Sequence, residues 1–326
     1  AFLIAEFASI IFLFPSISET SGIAVAVLIG LFTFAYIRKS GFKASYITDR
    51  FQGVAIIVLL FILFGVWFSK NSYADIVNYS KLGGINSFET FSLRSALAVV
   101  LAVTAAEIFS QGYWQRTFSA KNSETVKKAS LIAGFGAFVT ILLLGFAGAV
   151  GAGKGIESPT LSFIEQFELS PVLSVLLIVL CTLLVASSID TLENAISSTI
   201  SLDILKKGVK EAKYTTLGIV ILAIIASTVV TNIFSVFLVA DLIATCLVFP
   251  TFYKLKTKST DLFLLFPFIF SLLCVFIYRY LFVDLANNPG GIFIPTDLYG
   301  LADLNTFLVG FLTSIFITVA YNRISK

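Results

Sequence analysis

PVLSVLLIVLCTLLVASSIDTLENAISSTISLDIL, residues 171–205, changes character halfway along. Residues 171–189 are apolar and long enough to cross a bilayer as a helix, which takes about 20 residues. From residue 186 onward the same helix turns polar. Ser187, Thr191, Asn194, Ser198 and Ser201 recur at offsets of three and four, so they share one stripe. Asp190, Glu193 and Ser197 form a second stripe beside it. A helix polar over this much of its surface cannot face hydrocarbon; it must line water, another polar helix or an ion site. Adjacent hydroxyls beside a free carbonyl suit a hard, singly charged cation, which wants several oxygen ligands. Small-residue packing, with each Ser bonding back to its own helix, explains the same residues equally well.

The rest of the chain agrees with a membrane setting. Hydrophobic residues make up 58% of the 326, charged residues 13%, and mean hydropathy is +0.98. No water-soluble fold can hide that much apolar surface. Ten apolar stretches lie near 1–14, 22–37, 53–69, 93–111, 129–152, 171–189, 214–231, 233–250, 262–283 and 304–321. The predicted fold class is an all-α multi-span membrane protein, a single helical bundle over 1–326 with about ten spans. A β-barrel would show alternating segments of about 10 residues, and these stretches do not alternate. Such a bundle leaves little room for a soluble catalytic or nucleic-acid-binding domain, and the reading is of a protein that is not an enzyme. The chain has no His, which removes imidazole metal sites, Ser-His pairs and imidazole relays from its own chemistry. Cys181, Cys246 and Cys274 lie in apolar stretches without a C-x-x-C pair and read as small packing residues. The first stretch opens directly in apolar residues, so the chain is expected to begin inside a helix.

Charge orders the loops. Arg38, Lys39, Lys43 and Arg50 follow the second stretch; Arg116, Lys121, Lys127 and Lys128 follow the fourth. Lys206, Lys207, Lys210 and Lys213 follow the sixth, Lys254, Lys256 and Lys258 the eighth, and Arg323 and Lys326 the tenth. The opposite side holds Lys70, Lys81, Arg94, Lys154 and the nearby Arg279. With them are many acids: Glu19, Asp75, Glu89, Glu157, Glu165, Glu168, Asp284, Asp297 and Asp303. The positive-inside rule then puts the basic loops and the C-terminus in the cytoplasm, and the protein in the cytoplasmic membrane. The basic residues read as solvated anchors at the lipid surface, not as a nucleic-acid site.

Carboxylates within the spans are costly and face a cavity or a partner. They are Glu6, Glu107, Asp190, Glu193 and Asp241, with Asp49 at the cytoplasmic mouth of the third span. Thr104, Glu107, Gln111 and Gln115 have helical spacing and predict one polar face, either a cavity lining or a buried hydrogen-bond network. Pro171, Pro250 and Pro267 mark helix ends or kinks.

Three blocks resemble the sodium:solute symporter family, which contains the sodium–glucose, sodium–proline and sodium–sialic acid symporters. YITDRFQG at 46–53 is similar to the family's Thr-Asp-x-x-Gln segment, and SQGYWQRTFSAKNSETVKKA at 110–129 resembles its Gln-Arg-x-x-x-Ala-Lys/Arg loop. ASSIDTLENAISSTISLDIL at 186–205 resembles its Ser-Ser helix ending in Asp-Ile. The resemblance implies two inverted five-helix repeats with sites near the midplane. Residues 1–69 would be the end of the first repeat, 93–250 the second, and 262–321 accessory C-terminal spans. The first helices of repeat one would be lacking, so that the chain is expected to be N-terminally truncated.

What the resemblance implies for the site is a sodium ion held by the hydroxyls of Ser187 and Ser188 and the backbone carbonyl of Leu184. Asp49 would serve a second sodium or the release path; the family's further Ser for that second ion is Leu184 here. Substrate-facing positions would be Val103, Ala106, Glu107 and Thr191, with Asp190 beside them. Val103 and Ala106 replace polar and aromatic residues of sugar-binding members, and Glu107 and Asp190 favour a substrate bearing an amine, amide or urea-like donor. The expected function is sodium-coupled symport of a small organic solute by alternating access, with sodium as coupling ion and no cofactor. The alternatives are a solute-sensing signalling module and a proton-coupled transporter.

Overall fold

In the computed structural model the described residues are 1–17, 21–157, 162–167, 170–206, 209–257, 262–284 and 288–324. Among the expected loop charges, Glu19, Glu168, Lys207, Lys258 and Lys326 lie outside them.

The described residues form twelve α-helices: α1 (Phe2–Ile17), α2 (Gly22–Ser40), α3 (Phe42–Lys70), α4 (Tyr73–Leu82), α5 (Thr90–Phe109) and α6 (Gln111–Phe118), then α7 (Ser123–Gly153), α8 (Pro171–Thr199), α9 (Val209–Ser227), α10 (Ile233–Thr257), α11 (Leu262–Phe282) and α12 (Leu304–Ile324). A π-helical turn, Ile200–Ile204, continues α8. Each of the ten apolar stretches is a helix. Eight of them are long and apolar enough to cross a bilayer, namely α2, α3, α5, α7, α8, α10, α11 and α12. The apolar helices Phe2–Ile17 and Tyr214–Ser227 are shorter. The chain is a multi-span membrane protein. Lipid offers the backbone no hydrogen-bond partner, so each segment satisfies its own N–H and C=O groups as a helix.

Helix starts outside the apolar runs are set by capping. The Ser170 side chain accepts from the Leu173 N–H, with Pro171 in the first turn of α8, where no intrahelical N–H is lost. Asn122 and Ser72 accept in the same way from Thr125 and Asp75.

Two boundaries differ from the sequence reading. Helix α3 starts at Phe42, not near 53, because its polar first turns pack on α8 through Ser45, Thr48 and Asp49. Helix α5 stops at Phe109, and Ser110 has extended geometry with ψ 102. Thr104 and Glu107 are therefore on a different helix from Gln111 and Gln115, and the four do not share one face. The short helices α4 and α6 lie between the apolar stretches and were not marked by them.

The residues group into two compact units. The first comprises residues 1–5, 88–113 and 230–326. In it α10 packs on α5, α11 and α12 around Ala98, Ala102, Leu238, Leu242, Cys246, Val275 and Phe307. Arg279, 0% exposed in the last turn of α11, is held by the carbonyls of Gly291 and Thr296, the Thr306 hydroxyl at 2.6 Å and the Asp303 carboxylate at 3.3 Å.

The second unit comprises residues 6–87 and 114–229. Helix α8 is its axis, flanked by α2, α3 and α9. At α4 and α7 two glycines let the backbones touch. A Cβ on Gly83 would strike the Ala149 carbonyl, and one on Gly153 would strike the Tyr79 carbonyl. Cys181 and Cys246 are buried, Cys274 is half-buried, and all three are free thiols.

Candidate functional site: a polar network on the second half of α8

Both polar stripes of α8 find partners inside the second unit. The first faces α6 and the start of α3. Ser187 Oγ donates to Asp49 Oδ1 at 3.0 Å. The Arg116 guanidinium pairs with Asp49 Oδ2 and donates to Thr191 Oγ1 at 3.0 Å. Asn194 Nδ2 donates to Gln115 Oε1 at 2.7 Å, and Gln115 Nε2 donates to Ser198 Oγ at 3.2 Å. A guanidinium presents several donors in a fixed fork, which lets one side chain hold two acceptors.

In the second stripe Asp190 and Glu193 face α2 and α3 and are fully buried, and Ser197 is half-buried. Asp190 is 0% exposed. Its Oδ2 accepts from Tyr36 at 2.6 Å and Thr48 at 2.9 Å, and its Oδ1 accepts from Ser45 at 2.9 Å. Glu193, one turn further on, meets Thr33 of α2 at 3.0 Å. All of these partners are neutral hydroxyls.

Of the expected sodium ligands, Ser187 belongs to this network, while Ser188 and the Leu184 carbonyl lie on another face of α8. Ser188 Oγ is 3.4 Å from the Leu184 carbonyl oxygen and also lies against the Glu6 carboxylate. Ser187 and Ser188, although adjacent, thus point toward different acids, Asp49 and Glu6. Hydroxyl, carbonyl and carboxylate oxygens are the donor set a hard monovalent cation takes. No group of three or more His, Cys, Asp or Glu side chains gathers among the described residues as a metal cluster would.

The structure brings Asp49, Ser187, Asp190 and Thr191 into one network. Val103, Ala106 and Glu107 belong to α5 in the first unit. There Ala106 is buried beside Ala105 and Ala244, while Glu107 acts electrostatically on Asp241 and hydrogen-bonds with Tyr113.

Arg116 corrects one expectation. It is not a solvated lipid anchor but, from α6, the partner of Asp49 on α3. Thr33, Tyr36, Ser45 and Thr48 were missed. The only signal was the placement of Thr33 and Tyr36 three residues apart in an otherwise apolar stretch, which puts both on one face.

No protein-family model matches the chain. It is similar to the protein named spermidine transporter DUR31 of Candida albicans, at 26% identity over 269 residues. That match covers 78% of this chain and 50% of the relative, so the chain spans about half the length of the curated protein it matches.

Proposed function

We propose that the chain is the ion-coupling part of a secondary active transporter that moves a small amine-bearing solute with sodium by alternating access. One observation carries this reading: a membrane-spanning helix whose second half holds an interlocked set of carboxylates and hydroxyls, with two adjacent hydroxyls and a carbonyl at its edge. Structural packing alone needs no such concentration of acids in a hydrocarbon setting. The similar protein of Candida albicans carries a polyamine in its name. A polyamine is polycationic, and the buried acids Asp190 and Glu193 and the half-buried Glu6 have no cation partner among the described residues. In this reading the bundle has the inverted-repeat fold, and sodium at Ser187, Ser188 and the Leu184 carbonyl holds α8 in the outward-facing arrangement. Release into a sodium-poor cytoplasm frees it. A membrane potential contributes about 2.3 kcal/mol per charge per 100 mV, so one sodium could drive appreciable accumulation.

The test is uptake of labelled spermidine by the full-length protein in vesicles, with and without an inward sodium gradient. Ser188→Ala is expected to reduce sodium-driven uptake at least tenfold and to raise the sodium concentration giving half-maximal rate. Unchanged sodium dependence in that variant would remove the ion site from Ser188.

A further inference from the structure

The hydrogens around Glu193 can be counted. Glu193 is 0% exposed. Its Oε2 is buried with no hydrogen-bond partner among the described residues. Its Oε1 is 3.0 Å from Thr33 Oγ1, yet the same Thr33 oxygen is 2.9 Å from the Ile29 carbonyl oxygen and 3.1 Å from that of Gly30. A threonine hydroxyl has one hydrogen. If Thr33 gives it to Glu193, both backbone carbonyl contacts go unused and a bare carboxylate remains with a single neutral donor. An isolated buried anion is among the most expensive groups a protein can hold. If Glu193 instead carries a proton on Oε1, that O–H donates to Thr33 Oγ1, and Thr33 donates to its own helix. Every hydrogen then has an acceptor, and Glu193 itself leaves no charge in the low-dielectric interior.

Asp190 is the contrast. Tyr36 and Ser45 each direct a hydroxyl hydrogen at it, with Thr48 beside them, so it is built to be an anion. Among the described residues, the surroundings of Glu193 supply no cation. Helix α2 presents Tyr36, and α8 itself presents Asp190. From α3, Asp49 acts on Asp190 and is paired with Arg116 of α6. Helix α9 turns its buried Thr216, Val220, Ala223 and Ile224 inward, and Asp203 of the π-turn is exposed.

We propose that Glu193 is a proton-binding site of the transport cycle. It holds a proton as a neutral acid donated to Thr33 while α2 and α8 are packed, and it exchanges that proton with water when the two helices part. The proton moves between the carboxyl oxygen and water, and no other bond changes. This goes beyond sodium coupling, and it stands or falls on the state of one carboxyl.

The experiment is infrared difference spectroscopy on the full-length protein in lipid, in H₂O and D₂O. The expected result is a carbonyl-stretch band of a protonated carboxylic acid at neutral pH, lost in Glu193→Gln and displaced in frequency, not lost, in Thr33→Val. The Thr33 variant keeps the carboxyl and reports on it should Glu193→Gln fail to insert. Uptake driven by an imposed inward proton gradient is expected to disappear in Glu193→Gln. A wild-type spectrum without that band, or a band displaced by neither substitution, overturns the assignment. A band lost in Glu193→Gln together with undiminished proton-driven uptake overturns the exchange and leaves a static buried acid.

Discussion

At the scale of single residues, Asp49 and Arg116 carry the sharpest energetic consequence. The pair is only partly screened, with side chains 19% and 31% exposed. It also positions Ser187 and Thr191 through the hydrogen bonds each partner makes to α8. Removing Arg116 leaves a partly buried carboxylate with only the Ser187 hydroxyl among the described residues. Arg116→Ala is expected to lower stability by about 1–3 kcal/mol, the cost of orphaning such a group, read as a lowered midpoint in thermal unfolding of the full-length protein. Asp49→Asn in the same background should recover part of the loss. Strict additivity of the two substitutions would show that the pair does not couple. The polar half of α8 was legible because its residues recur at helical offsets within one segment. The partners of Asp190 were not. Tyr36, Ser45 and Thr48 sit on two other helices, and only packing brings them to one carboxylate.

At the scale of elements, the helices were legible and several of their ends were not. An apolar run of span length in lipid has one backbone solution, so all ten runs became helices. The first turns of α3 carry Lys43, Asp49 and Arg50, too polar to extend an apolar stretch, and they are helical because α8 supplies partners. The C-terminal turn of α11 shows the same dependence on tertiary partners. Arg279 ties that turn to Gly291, Thr296, Asp303 and Thr306, so one side chain closes the connection from α11 to α12. Removing one member of a buried pair costs about 3–5 kcal/mol. Arg279→Ala is expected to make residues 288–303 susceptible to limited proteolysis while α11 and α12 stay inserted. Unchanged protease resistance of this connection would mean that it is held by other contacts.

At the scale of the whole molecule, the alternation of basic and acidic loops predicts sidedness. In a cysteine-free background, cysteines placed at Tyr299 or Asp75 should react with an impermeant thiol reagent on intact cells. Cysteines at Lys121 or Arg323 should react only after permeabilisation. Labelling of all four from outside would overturn the orientation. Residues Tyr299, Asp75, Lys121 and Arg323 are exposed, which suits them to such probes. The touching backbones at Gly83 and Gly153 bear on how the second unit can deform. A helix crossing cushioned by side chains absorbs displacement by changing rotamers. Where carbonyl meets α-carbon there is no such cushion, so a shift of α4 has to be matched by α7. A hinge in this unit is therefore expected away from that crossing.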